Sequence, residues 1–134
     1  MIRQIHHINF IVRDLDAAIE RYRALFGVSI STPETLPQRG VKLARFKLSE
    51  IWVVLVQPLD SSGKPAQYLE KHGEGFFLMS CQVDDVRKAA ERASAQGFSV
   101  LDSEPRQGLD DWLVMDLDPD ELFGATIQLV EAHE

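Results

Sequence analysis

His7 lies in an alternating apolar/polar segment, residues 5–12. Its imidazole is the side chain whose ordinary pKa, about 6.5, lets it both take and return a proton near neutrality. The same ring can ligate a metal or hydrogen-bond to a neighbouring amide, and the residue type leaves all three roles open. Asn9, two residues on, shares the strand face of His7, and Gln128 lies in the final apolar strand. Their amides would orient a bound molecule by hydrogen bonds rather than react with it. Arg39, Lys42, Arg45 and Lys47 place four positive charges within nine residues of a chain whose net charge is −7. Such a cluster is either a solvated strand face or a pairing site for a carboxylate or phosphate, with Arg45 the residue assigned to an anion. His6 falls on the opposite strand face by alternation, and His72 and His133 fall in polar segments. Cys81, the sole cysteine, cannot form an internal disulfide and sits in a strand pattern, where a buried inert thiol is expected. Residues 116–124, "DLDPDELFG", lack the spacing and closing glutamate of a calcium loop and read as a turn into the last strand.

The elements that must position these residues repeat. "HINFIVRDLDAAIERYRALFGV" from His7 overlays "LMSCQVDDVRKAAERASAQGF" from Leu78 at a constant offset of 71, pairing Val12 with Val83, Asp14 with Asp85 and Ala18 with Ala89. In the first copy a strand over 5–12 leads to a helix begun at Asp14 and stopped at Gly27, with Leu15, Ala18, Ile19, Tyr22, Leu25 and Phe26 at helical spacing. Strands are expected near 28–32, 41–48 and 51–57, with a Pro/Gly loop before the second and a turn at Ser49 and Glu50 before the third. A polar bridge carrying a short helix over 65–71 follows. The second copy then gives a strand near 76–83, a helix from Asp85 to Gly97, and strands near 98–101, 112–117 and 125–131. "VLVQ" at 54–57 overlays "QLVE" at 128–131. The expected fold is α+β: two tandem βαβββ modules whose curved mixed sheets enclose a shared cavity. One domain spans 1–134, with module one at 1–58, the bridge at 59–74 and module two at 75–134.

Composition narrows the partners. With 134 residues, 45% hydrophobic and 26% charged, the chain has the make-up of a globular domain. No run reaches the roughly 18 apolar residues that a membrane span needs. The opening "MIRQIHHINFIV" goes straight into a strand pattern without a small-residue cleavage site, so a cytoplasmic location is expected. The acidic balance repels phosphate backbones and argues against nucleic acid as a partner. Alternation puts Trp52 and Val54 on one strand face, and Phe76 and Leu78 on another. These four side chains either fill a core or line an apolar pocket.

Two βαβββ modules, the strand-one histidine, "VRDLDAAIERYRALFGV" and the closing "FGATIQLVE" resemble the vicinal oxygen chelate superfamily of glyoxalases, bleomycin-resistance proteins and extradiol dioxygenases. "RGVKLARFKL", "QPLDSSGKPAQYLEKHGEGFF", "QVDDVRKA" and "DSEPRQG" are most similar to its methylmalonyl-CoA epimerase branch. The resemblance implies a metal held from four places, which fall here at His7, Val54, Leu78 and Gln128. Valine and leucine have no donor atom, so His7 and Gln128 are the residual candidates where a divalent ion of this kind wants three or four protein ligands. Leu43 stands where some epimerases carry a glutamate, and Gln128 where they carry the last one, so neither face offers a carboxylate base. The resemblance therefore implies a homodimeric protein with no cofactor expected. It would bind a small acyl thioester, or another hydrophobic or carboxylated compound, beside an incomplete metal site. Any reaction would use His7 for proton transfer, with Gln128 and Asn9 orienting the substrate. The alternatives are a metal-dependent epimerase or lactoylglutathione lyase-like enzyme with replacement ligands, and a bleomycin-resistance-type sequestering protein.

Overall fold

Asp14 and Asp85 start the two principal helices by the same device. In the computed structural model, which describes residues 1–133, each aspartate is extended and accepts a hydrogen bond from the backbone N–H three residues on, Ala17 at 3.1 Å and Lys88 at 3.0 Å. Caps of this kind contribute about 1 kcal/mol each. The helices that follow are α1, Leu15–Phe26, and α3, Val86–Ala95; the bridge carries α2, Lys64–His72. The strands are β1, Gln4–Ile11; β2, Glu34–Leu36; β3, Val41–Leu48; β4, Ile51–Pro58; β5, Gly75–Gln82; β6, Arg106–Gln107; β7, Leu113–Asp116; and β8, Ile127–Glu131.

The chain divides into two compact units, Ile8–Phe77 and Met1–His7 with Leu78–Glu134, so that β1 passes from one to the other. In the first unit the strand order is β2-β3-β4-β1, and β3 pairs antiparallel with β4 from Val41↔Pro58 to Leu48↔Ile51. In the second it is β1-β5-β8-β7-β6, with β5 and β8 parallel and β8 and β7 antiparallel. The repeat extends to individual hydrogen bonds. Val12 N–H donates to Val56 O and Val83 N–H to Val130 O. The first helical amides, Leu15 and Val86, donate to the side chains of Gln57 and Glu131 at the ends of the paired strands.

Each unit packs its helix on one sheet face. Val12, Leu15, Ile19, Ala44 and Leu55 form one core cluster, and Val83, Val86, Ala90, Met115, Leu117 and Leu129 the other. Gly40 adopts φ 63° and its carbonyl accepts from both Leu59 and Asp60, an approach so close that a Cβ on it would stand 2.8 Å from Asp60 Cβ.

Several expectations are corrected. Residues 28–32 and 98–101 do not form ladder strands. Ser31 N–H reaches Arg45 O, Arg45 N–H reaches Ser31 Oγ, and Val100 makes an isolated bridge to Leu117. The edge strands come later in both repeats, at β2 and β6. Short edge strands of this kind are how sheets blunt their unpaired rims. Leu25, although at helical spacing, is 76% exposed because the inward stripe turns away from it before the helix ends.

Candidate functional site

Strand alternation in the second unit sends Leu129, Met115 and Leu117 toward α3 and leaves the other face to a different set. Across that face the register aligns Ser80 of β5, Gln128 of β8 and Asp116 of β7 side by side. Ser80 Oγ donates to Gln128 Oε1 at 2.9 Å, and Gln128 Nε2 donates to Asp116 Oδ1 at 2.9 Å. The row continues outward. Arg106 of β6 donates through Nη2 to Asp116 Oδ2 at 2.7 Å and through Nε to Asp102 Oδ1 at 2.7 Å, while Asp102 Oδ2 accepts the Asp116 backbone N–H. Gln128, 2% exposed, thus has its amide oxygen and nitrogen both engaged.

His7 lies on β1, three strands from β7, about 14 Å away in a flat sheet at the usual strand spacing. Yet the Trp112 indole, just before β7, stacks on the His7 ring with centroids 4.6 Å apart and planes at 18°. Contact across three strands requires the sheet of this unit to curl. His6 also meets Trp112, edge-on at 4.6 Å, and the Nδ1 atoms of His6 and His7 lie 2.9 Å apart, so one donates and the other accepts. His6, expected on the far face, is buried with His7 because the broad indole reaches both rings. Trp112 is itself buried, and a backbone turn holds it: Trp112 N–H donates to Leu109 O and Gly108 N–H to Trp112 O.

In the first unit, Leu43, Val54 and Val56 are buried, and the same strand face runs outward to Arg45, Lys47 and Trp52. The Arg45 guanidinium lies 4.3 Å, and the Lys47 ammonium 4.5 Å, from the Trp52 ring centroid. Two cations on one indole form a locally positive surface. Asn9 Oδ1 is buried without a hydrogen-bond partner. Leaving such an acceptor unmatched costs roughly 1–3 kcal/mol, and a ligand donor would recover it. Phe76 is half-exposed and meets Phe10 edge-on, while Leu78, in the second unit, is buried. Cys81 is buried, and burial pushes its thiol pKa up, holding it in the unreactive protonated form.

The residues at the four resemblance-implied positions do not fit a resident divalent metal. Val54 and Leu78 lack donors, the Gln128 amide is committed at both ends, and His7 is stacked beneath Trp112 with Nδ1 facing His6. Among the described residues no three His, Cys, Asp or Glu side chains gather into a ligating group. Sequence reasoning did not single out Trp112, Asp116, Arg106 or Asp102. The alternation of Trp112, Val114 and Asp116 on one strand face was the available signal for two of them.

The strand orders of the two units, each with its helix on one sheet face, are those of a glyoxalase-like α+β fold, and residues 6–115 match the family described as Glyoxalase/Bleomycin resistance protein/Dioxygenase superfamily. The chain belongs to that family. It is 26% identical over 130 residues to mitochondrial methylmalonyl-CoA epimerase of Bos taurus, covering 96% of this chain and 74% of that one. Among solved structures it is similar to a Streptomyces coelicolor methylmalonyl-CoA epimerase variant in complex with 2-nitronate-propionyl-CoA. The TM-score there is 0.93 and the identity 29%, covering 98% of this chain and 96% of the other. Methylmalonyl-CoA epimerase from Mycobacterium tuberculosis gives a TM-score of 0.92 at 28% identity, covering 99% and 90%. The protein is therefore a relative of the epimerases. Among the described residues, no helix is long and apolar enough to cross a membrane.

Proposed function

We propose that this protein binds a small acyl thioester, or a closely similar hydrophobic carboxylated compound, without a resident divalent metal. The observation that carries this reading is the state of Gln128 and His7: one amide is locked between Ser80 and Asp116, and one imidazole is packed under an indole. Both groups are buried and engaged by neighbouring side chains rather than held as open metal ligands. The acyl-thioester class is supported by similarity over 96–98% of this chain to methylmalonyl-CoA epimerases, two of them in complex with a CoA ester. Arg45 and Trp52, with Lys47, supply a positive aromatic surface for an anionic group, and Asn9 Oδ1 supplies an unmatched acceptor. Val54, on the strand face of Arg45 and Trp52, and half-exposed Phe76 add apolar side chains in the same unit.

Because His7 is only 3% exposed, a ligand reaches its ring by displacing the Trp112 indole. If a reaction occurs, His7 is the group that moves the proton, with His6 accepting or donating at Nδ1 as the partner ring changes state. Two tryptophans make this readable by fluorescence. Titrating the EDTA-treated protein with propionyl-CoA is expected to give a saturable change in tryptophan emission, unaltered by added Zn²⁺ and weakened by about 10- to 150-fold in Arg45→Ala, the range for loss of a charge-assisted contact. Binding that appears only after metal is added, or none at all, would contradict the proposal.

A further inference from the structure

The two repeats fill the space beneath their helices differently. In the first unit, Tyr22 of α1 stacks on Phe10 and on Phe26, with centroids 5.8 and 6.0 Å apart, and Phe26 packs on Phe46 at 5.3 Å. The 71-residue offset puts Cys81, Ala93, Gly97 and Leu117 at the corresponding places of the second unit, so all four rings are missing there. Two of these places, Ala93 and Leu117, line a hollow of about 340 Å³, together with Ala89 of α3, Ile127, Phe98 and Ile2. That volume lies within the roughly 300–1,000 Å³ that small-molecule pockets occupy. Ile2 and Phe98 are 52% and 39% exposed, so apolar surface stands open at its mouth. The lining atoms are almost wholly apolar, so Arg92 and Gln96 face the hollow with their aliphatic stems. Arg92, in the last turn of α3, is exposed and makes no ion pair with another described residue.

We propose that this hollow is a second ligand site, which takes an aryl carboxylate of one or two rings. The rings occupy the space that Tyr22 fills in the other repeat, edge-on to Phe98, and the carboxylate pairs with the Arg92 guanidinium at the rim. An aromatic occupant matches Ala93 in place of Tyr22, and an anionic head on it matches the guanidinium that Arg92 carries at the rim, beyond its apolar stem. The hollow lies on the α3 face of the sheet, opposite the row of Ser80, Gln128 and Asp116, so it is independent of the proposed acyl-thioester contacts.

The test is a titration with 2-naphthoate, followed by ¹H–¹⁵N NMR on the full chain. Saturable shifts are expected at Ala89, Ala93, Phe98 and Ile127. Ala93→Tyr, which copies the first repeat, should fill the space, keep the fold and weaken binding by about tenfold or more. Arg92→Gln should weaken it by ~3-fold, as for an exposed ion pair, and neutral methyl 2-naphthoate should bind the wild type correspondingly less well. Three results would overturn the proposal: no saturable shift at millimolar ligand, equal binding by Ala93→Tyr, or shifts confined to His7 and Trp112. Concentration-dependent self-association that Ala93→Tyr abolishes would also overturn it, by showing that a second copy covers the hollow.

Discussion

Replacing Trp112 with alanine is expected to lower the unfolding free energy by about 3–5 kcal/mol, the range for deleting a fully buried indole. The ring is 3% exposed and touches both His7 and His6, so its removal leaves two imidazoles beside a void. Denaturant titration of the two proteins measures the loss as a lower midpoint at unchanged slope. The same change should open the His7 ring to diethyl pyrocarbonate, which reacts with accessible neutral imidazole. In the wild type that reaction should be slow at His7 and fast at exposed His72 and His133. A stability loss under 1 kcal/mol, with His7 equally protected, would mean that the indole is not what closes the site.

Arg106→Met should have the next largest effect. The guanidinium joins Asp102 and Asp116, whose side chains are 10% and 24% exposed, and is itself 31% exposed. Removing the cation leaves two carboxylates near each other without their common partner. Breaking a fully buried pair costs about 3–5 kcal/mol. Solvent reaches this one in part and screens it, so ~2 kcal/mol is expected. The consequence for function is positional: Asp116 fixes the Gln128 amide nitrogen, so freeing Asp116 frees Gln128. Arg106 is therefore a positioning residue. In a double-mutant cycle with Gln128→Ala, the coupling should exceed about 0.5 kcal/mol, and the Arg106→Met variant should bind propionyl-CoA more weakly even at temperatures where it is fully folded. Strict additivity with unchanged binding would show that the network is structural only.

Much of this was legible in the chain. The 71-residue repeat makes His7 equivalent to Leu78, and the two aspartate caps, β3, β4 and α2 lie within a residue or two of where periodicity puts them. Two strands misread in the same way, at 28–32 and 98–101, expose a shared cause. The extended chain after each helix makes isolated hydrogen bonds to its neighbour, and the ladder begins only at β2 and β6, which carry too few residues to show alternation. The partners of His7 were illegible for a different reason. Trp112 follows the turn at 108–112 and meets β1 only because the intervening strands curl, and local sequence does not encode the sum of several strand twists. Gln128 was expected to face a ligand, and its two bonds to Ser80 and Asp116 depend on the β5–β8–β7 register, which no single segment specifies.

The most direct test of the central claim is native mass spectrometry of the protein, before and after incubation with excess Zn²⁺, Co²⁺ or Mn²⁺ and desalting. Donorless Val54 and Leu78, an occupied Gln128 and a stacked His7 predict that the chain returns to its metal-free mass, while propionyl-CoA added to the same sample forms a stoichiometric complex. One divalent ion retained per chain, and lost in His7→Ala, would contradict the account and return the protein to metal-dependent chemistry.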